Sequence, residues 1–277
     1  MPSDWNSKDV VDDDMLIFLR LFHALFGIVV WEYISTFDYE LDVWLGKRKY
    51  LWTVWLYSSC RMLLLLWLFT LAVQQNGGVT THCTAFFLTC VLFSYFAIGM
   101  ASIIIALRVI AIWKHSKMVK ALSYGLIATS FALNMRDVSL VRAEYDPDVD
   151  ACIPFATYKF LPNGIGILAT DVILVVLMLV GLLRMEEARR SGIAKFLYHQ
   201  GLLWFVLVVI AEVPTIVFVS LNLNDVLTVM LHPFEVAALS LCATRMYRGL
   251  TDYEHEPESL KVPGSVQSGI RFQSQAE

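Results

Sequence analysis

Seven long apolar stretches run along this chain of 277 residues, and the lysines and arginines between them fall on alternate sides. A helix crosses a hydrocarbon core of about 30 Å with about 20 mainly apolar residues. The stretches at 15–37, 50–73, 83–113, 118–134, 164–183, 201–220 and 226–246 answer to that description. With 57% hydrophobic and 17% charged residues, the chain is too apolar for an ordinary soluble domain. The expected fold is therefore all-α, a polytopic membrane protein with a seven-transmembrane-helix bundle over residues 15–248. The fourth stretch is the most dilute, interrupted by Ser123, Thr129, Ser130 and Asn134. Its small residues Ala121, Gly125 and Ala128 suggest a face packed closely against other helices.

Loops rich in Lys and Arg stay in the cytosol. One side collects Lys47–Lys49, Lys114, Lys117, Lys120, the cluster from Arg184 to Lys195, and Arg108, Arg245, Arg248, Lys261 and Arg271. That is fifteen of the 21 basic residues, whereas the other side holds only Lys8, Arg136, Arg142 and Lys159. The amino terminus is thus expected outside and the carboxyl terminus in the cytosol. Residues 1–14, with Asp4, Asp9, Asp12, Asp13 and Asp14, read as a short acidic external tail; a cleavable leader would begin with positive charge. Residues 249–277 turn polar and read as a disordered cytosolic tail. Cys83, at the outer end of the third span, and Cys152, in the long outer loop 136–163, are candidates for a disulfide bond in an oxidising compartment. Trp31, Trp44, Trp52, Trp55, Trp113 and Tyr247 gather near the cytosolic ends, where an amphipathic ring anchors a helix at the interface.

Charged groups inside the spans are the chemically informative feature, because each costs about 2.5–3.5 kcal/mol at a helix centre. Counted from the outer ends, Arg20, His23, Asp171, Glu212, His232 and Glu235 lie between about 8 and 14 Å deep, and Arg61 about 18 Å. These residues read as an outer polar layer. Two uses are open: a ligand pocket facing outward, or ion pairs that hold the helices together. A zinc site is a third use, since His232 and Glu235 share one helix face and Glu212 and His23 would have to complete it. Pro214 and Pro233 are expected to kink the sixth and seventh helices.

The segment Trp31-Glu32-Tyr33-Ile34-Ser35-Thr36-Phe37-Asp38-Tyr39-Glu40, followed by Trp44 and Lys47-Arg48-Lys49, resembles a hallmark of one large family. That family comprises uncharacterised seven-transmembrane proteins of mushroom-forming (basidiomycete) fungi. Arg61 within Ser58-Ser59-Cys60-Arg61, Leu107–Trp113 and Thr244-Arg245-Met246-Tyr247 are similar to its second, third and seventh helices. The resemblance implies the seven-helix fold and brings no activity. Physically, Glu32 and Arg61 are candidates for a structural ion pair between the first two helices.

No catalytic signature, phosphate loop or cofactor motif is visible, and nothing points to nucleic acid. The span 226–246 has no lysine for a retinal Schiff base. Leu107 stands before Arg108 where G-protein-coupled receptors carry an acid. The leading expectation is a receptor-like sensor in the plasma membrane, with a lipid bilayer around it, an unknown small external ligand and a cytosolic signalling partner. The alternatives are a transporter or proton-coupled carrier using Asp171, Glu212 and His232, and an intramembrane metal-dependent hydrolase. The inner halves of the last three spans (172–183, 201–211, 236–242) look dry, which favours sensing over transport.

Overall fold

The computed structural model describes residues 7–46, 52–75, 83–146, 151–154, 157–184, 192–221 and 225–255. Seven long helices appear among them: α1 (Lys8–Ser35), α3 (Thr53–Gln75), α4 (Cys83–Ile112), α5 (Lys117–Leu140), α6 (Leu161–Arg184), α7 (Gly192–Leu221) and α9 (His232–His255). Two short helices, α2 (Phe37–Trp44) and α8 (Asp225–Met230), join them. Five helices are long and apolar enough to cross a membrane: α1 (with α2 attached), α3, α4, α6 and α9. The described apolar part of α7 is the shorter Val206–Leu221, and α5 carries too many polar residues to qualify by composition.

The bundle is built around α4, which touches α3, α5, α6 and α9 and buries residues on every side, among them Ala97, Ile98, Ala101, Ala106 and Val109. Its small residues let neighbouring backbones close in. By contrast α1 is peripheral. It buries Phe18, Phe22, Leu25 and Val29 at helical spacing and leaves Leu16, Ile17, Leu21 and Ile28 exposed, as a lipid-facing helix should.

Two ends of the bundle can be told apart. At one end α1 stops at Thr36, whose hydroxyl donates to the Glu32 carbonyl at 2.6 Å, and the chain turns into α2. The amphipathic α2 buries Tyr39, Glu40 and Val43 and ends at Gly46, whose φ of +71° is the left-handed value that closes a helix. At the other end a two-stranded antiparallel ribbon, β1 (Ala143–Asp146) and β2 (Ala151–Pro154), lies against the start of α4; Thr84 Oγ1 donates to the Ala143 carbonyl at 2.7 Å. The all-α expectation did not include this ribbon. It forms where the chain leaves the helical layer and its backbone groups must pair with each other.

Several other expectations need correction. The acidic segment 1–14 is helical from Lys8 onward, and the last helix runs past residue 248 to His255. Pro233 does not kink a continuous span: the chain breaks between α8 and α9, and Pro233 occupies the first turn of α9, where its missing N–H costs nothing. Pro214 does lie inside α7. Ala121, Gly125 and Ala128 face outward, and the buried stripe of α5 is polar: Ser123, Ser130, Asn134 and Asp137. Trp31, Trp44, Trp52 and Trp55 are exposed at the α2 end, as interfacial anchors are. Trp113 and Tyr247 are not anchors. Trp113 donates to the Leu177 carbonyl at 2.8 Å, and Tyr247 stacks on Tyr57 at 5.3 Å.

Candidate functional site: a cavity above a buried acid pair

A cavity of about 160 Å³ opens between the helices at the ribbon end. Every long helix except α5 contributes to it: Phe18 from α1, Trp67 from α3, Tyr95 from α4, Asn163 from α6, Thr215 from α7 and His232 from α9. Its walls are mainly aromatic and aliphatic, with a few polar groups at fixed positions, as small-molecule sites generally are. His232 Nδ1 lies 3.2 Å from Glu235 Oε2, one helical turn on. The His232 ring meets Trp67 edge-on at 5.9 Å and Tyr95 at 6.5 Å. Glu235 is 5% exposed. Asn163 donates through Nδ2 to Asn134 Oδ1 at 2.9 Å, while its own Oδ1 has no partner among the described residues.

Below it a second, small cavity of about 20 Å³ is bounded by Asp171 and Glu212, with Ile105, Val175, Val208 and Met246 around them. Ser102 Oγ donates to Asp171 Oδ1 at 3.1 Å. Asp171 Oδ2 and both oxygens of Glu212 accept no hydrogen bond from a donor group among the described residues. Both carboxyl groups bound this small cavity, whose lining includes no basic side chain, and two bare charges in so apolar a setting are costly.

Of the seven residues in the expected polar layer, four belong here: His232 and Glu235 line the main cavity, and Asp171 and Glu212 bound the lower one. Arg20 and His23 do not. Both are exposed on the outer face of α1, and His23 spends its Nδ1 on the Leu19 carbonyl at 2.7 Å. At a rise of about 1.5 Å and a turn of about 100° per residue, depth alone could not tell the inner face of α1 from the outer one. The zinc set suggested by the sequence is not assembled: His23 is exposed on the outer face of α1, and no three histidine, cysteine or carboxylate side chains converge for a metal among the described residues.

Arg61 belongs to the other end of the bundle. Its Nη1 lies 3.0 Å from Glu40 Oε1 and donates to Tyr57 Oη at 2.5 Å; Nη2 donates to the Tyr33 carbonyl at 3.0 Å. The guanidinium also sits 4.4 Å from the centre of the Tyr33 ring, a cation–π contact. The expected Glu32–Arg61 pair is thus replaced. Glu32 accepts from Arg245 Nε at 2.9 Å and from Arg248 Nη2 at 2.6 Å, and pairs again with Arg245 Nη2. Tyr39 Oη with Thr251 Oγ1 at 3.0 Å and Thr53 Oγ1 with Tyr247 Oη at 2.9 Å extend this network. The segment 32–40 therefore supplies two carboxylates to two different arginine sets, tying α1 and α2 to α3 and α9.

The sequence reading missed Trp67, Tyr95 and Asn163 in the cavity and Asp137 beside it, where Tyr95 Oη donates to Asp137 Oδ2 at 3.4 Å. A signal existed for part of this: Ser123, Ser130, Asn134 and Asp137 recur at spacings of seven, four and three, one helical face. The Cys83–Cys152 bridge rests on the Cys152 side chain, which lies outside the described residues; the described free thiols are Cys60, Cys90 and Cys242. The tail beyond His255 lies outside the described residues as well. No family model matches the chain, and no curated protein is detectably similar to it.

Proposed function

We propose that this protein is a receptor-like sensor of the plasma membrane, with seven transmembrane helices, its amino end outside and its carboxyl end in the cytosol. A small external ligand enters the cavity at the ribbon end and is held among six of the seven long helices. The observation that carries the reading is that cavity, about 160 Å³ and lined from α1, α3, α4, α6, α7 and α9 together. A ligand touching six helices at once can bias how they pack, which is what sensing requires.

Seven crossings are supported by the course of the two polar or shorter helices. α5 starts beside the end of α4 and leads back to the ribbon packed on the start of α4. Its 24 residues cover about 36 Å, more than the roughly 30 Å of a hydrocarbon core. α7 likewise leads back from the end of α6 toward α8. The basic residues gather at the α2 end, which supports the orientation. Screening small molecules for thermal stabilisation of the purified full-length chain tests the reading. Ile167→Trp should fill the cavity and abolish any stabilisation found. If no small molecule stabilises the wild type, and Ile167→Trp leaves its melting curve unchanged, the sensor reading is lost.

One observation favours a second reading, a proton-coupled carrier: the Asp171–Glu212 pair has no basic partner among the described residues. Buried intramembrane acids of that kind are found in proton relays. Uptake into proteoliposomes driven by an imposed pH gradient would favour the carrier over the sensor.

A further inference from the structure

We infer that the ligand of the ribbon-end cavity is a small protonated amine on a single-ring apolar body; this rests on the sensor reading and names its ligand class. The size follows from the volume. About 160 Å³ is close to the roughly 150 Å³ of an engineered apolar cavity that takes up benzene. The space accepts one ring and a short side arm, and excludes a fused ring system or a peptide.

The charge follows from the lining. No lysine or arginine contributes to the cavity, and its one carboxyl group, that of Glu235, is buried beside His232. Beneath lie the carboxyls of Asp171 and Glu212, which have no basic partner among the described residues. Carboxyl groups without lysine or arginine around the cavity favour a cation over an anion, and a surrounding of low polarity strengthens that preference. The hydrogen-bonding pattern agrees: Asn163 Oδ1 is a buried acceptor with no donor among the described residues, and an ammonium group supplies donors that an ether, ketone or hydrocarbon lacks. Two electron-rich rings, Trp67 and Tyr95, line the cavity and pack against His232, and such rings attract cations placed over their faces. In this arrangement the ammonium sits by Glu235 and Asn163, and the ring lies against Phe18, Leu71 and Ile167.

The test uses the full-length wild-type chain in lipid nanodiscs and three probes of nearly equal shape: benzylamine, benzyl alcohol and benzoate. Benzylamine should bind about tenfold or more tightly than benzyl alcohol, and benzoate should not bind. Glu235→Gln should remove the preference for benzylamine while retaining the alcohol, and Asn163→Leu should weaken benzylamine more than benzyl alcohol. If benzyl alcohol binds as tightly as benzylamine, the amine assignment is overturned while the cavity still serves a ligand. If none of the three binds and Ile167→Trp changes nothing, the sensor reading fails with it. Because the wild-type comparison decides the charge preference, a Glu235→Gln chain that does not fold leaves the outcome intact.

Discussion

Replacing Glu32 by glutamine tests the ionic network at the α2 end. The side chain of Glu32 is 12% exposed and that of Arg248 16%, so this pair is largely withdrawn from water. Breaking a buried pair from one side costs about 3–5 kcal/mol in soluble proteins, because the remaining charge is left unsatisfied. Arg245 contributes less: its side chain is 46% exposed, and solvent screens its share. Glutamine keeps one carbonyl oxygen for a neutral hydrogen bond. Together these terms give an expected loss of about 2–3 kcal/mol.

Unfolding in mixed detergent micelles, followed by circular dichroism, measures that loss, and a double-mutant cycle assigns it. Glu32→Gln combined with Arg248→Met should show a coupling of about 1–2 kcal/mol, since the two groups touch. Glu32→Gln with Arg61→Met should be additive to within about 0.5 kcal/mol, because Arg61 is engaged by Glu40, Tyr57 and the Tyr33 carbonyl. A Glu32–Arg61 coupling larger than the Glu32–Arg248 coupling would refute the network described here and restore the pairing expected from sequence.

Glu212→Gln replaces a buried carboxyl that has no cationic partner among the described residues, so surface expression should stay near wild type or rise; a severalfold fall would reveal a partner. A tag at Met1 should stain on intact cells and one at Glu277 only after permeabilisation, and equal staining of both would remove the proposed orientation. Non-reducing mass spectrometry should recover Cys83 and Cys152 in one linked peptide pair, and finding both as free thiols would end that proposal. At Gly181 a Cβ would come within 2.5 Å of Ile112 Cγ2 and 2.6 Å of Trp113 Nε1, which is held by its bond to Leu177, so Gly181→Ala should cost about 1–3 kcal/mol. Gly166→Ala meets only the flexible tip of Leu133 and should cost clearly less; equal melting temperatures for the two variants would contradict the packing at Trp113.

Long apolar runs made the helices legible in the sequence, because length and composition alone decide whether a segment can be solvated by lipid. The positions of Asp171, Glu212, His232 and Glu235 were legible for the same reason: a charge in such a run has few places to go. What stayed hidden was rotation. Arg20 and Phe22 are two residues apart on α1, yet one faces outward and the other is 1% exposed, and neither the depth of a residue nor the apolarity of its neighbours distinguishes them when lipid and protein interior are equally apolar. Water-facing helices announce their buried side by alternating with polar residues; lipid-facing helices do not. Partner choice was hidden too. Glu32 and Glu40 lie eight residues apart across a helix break at Thr36, and only the turn there decides which carboxylate reaches Arg61 and which reaches α9.

The pairing of intramembrane charges differs between the two ends of this bundle, which supports a cohesive role at one end and the proposed pocket at the other. At the α2 end Glu32 and Glu40 are matched by Arg245, Arg248 and Arg61, with Tyr57 and Tyr33 taking the remaining donors. Among the described residues only Glu40 Oε1, which still faces the Arg61 guanidinium at 3.0 Å, and Arg248 Nε lack a hydrogen bond in this set, and its charges tie α1, α2, α3 and α9 to one another. At the ribbon end Asp171, Glu212 and Asn163 keep oxygens without a donor among the described residues, and the helices leave open space beside them. Buried acceptors without donors raise the free energy of the bundle by about 1–3 kcal/mol each, and the absence of any arginine or lysine there among the described residues supports the proposed pocket over cohesion. α9 belongs to both systems: His232 and Glu235 in its first turn line the cavity, and Arg245 and Arg248, about 15–20 Å along the same helix, hold Glu32. The helical course is interrupted at Leu231, which alone joins α8 to α9, and the other end of α9 is held by the Glu32 carboxylate. On the proposed sensor reading, a ligand beside Glu235 would therefore act on a helix that also carries the clamp on α1.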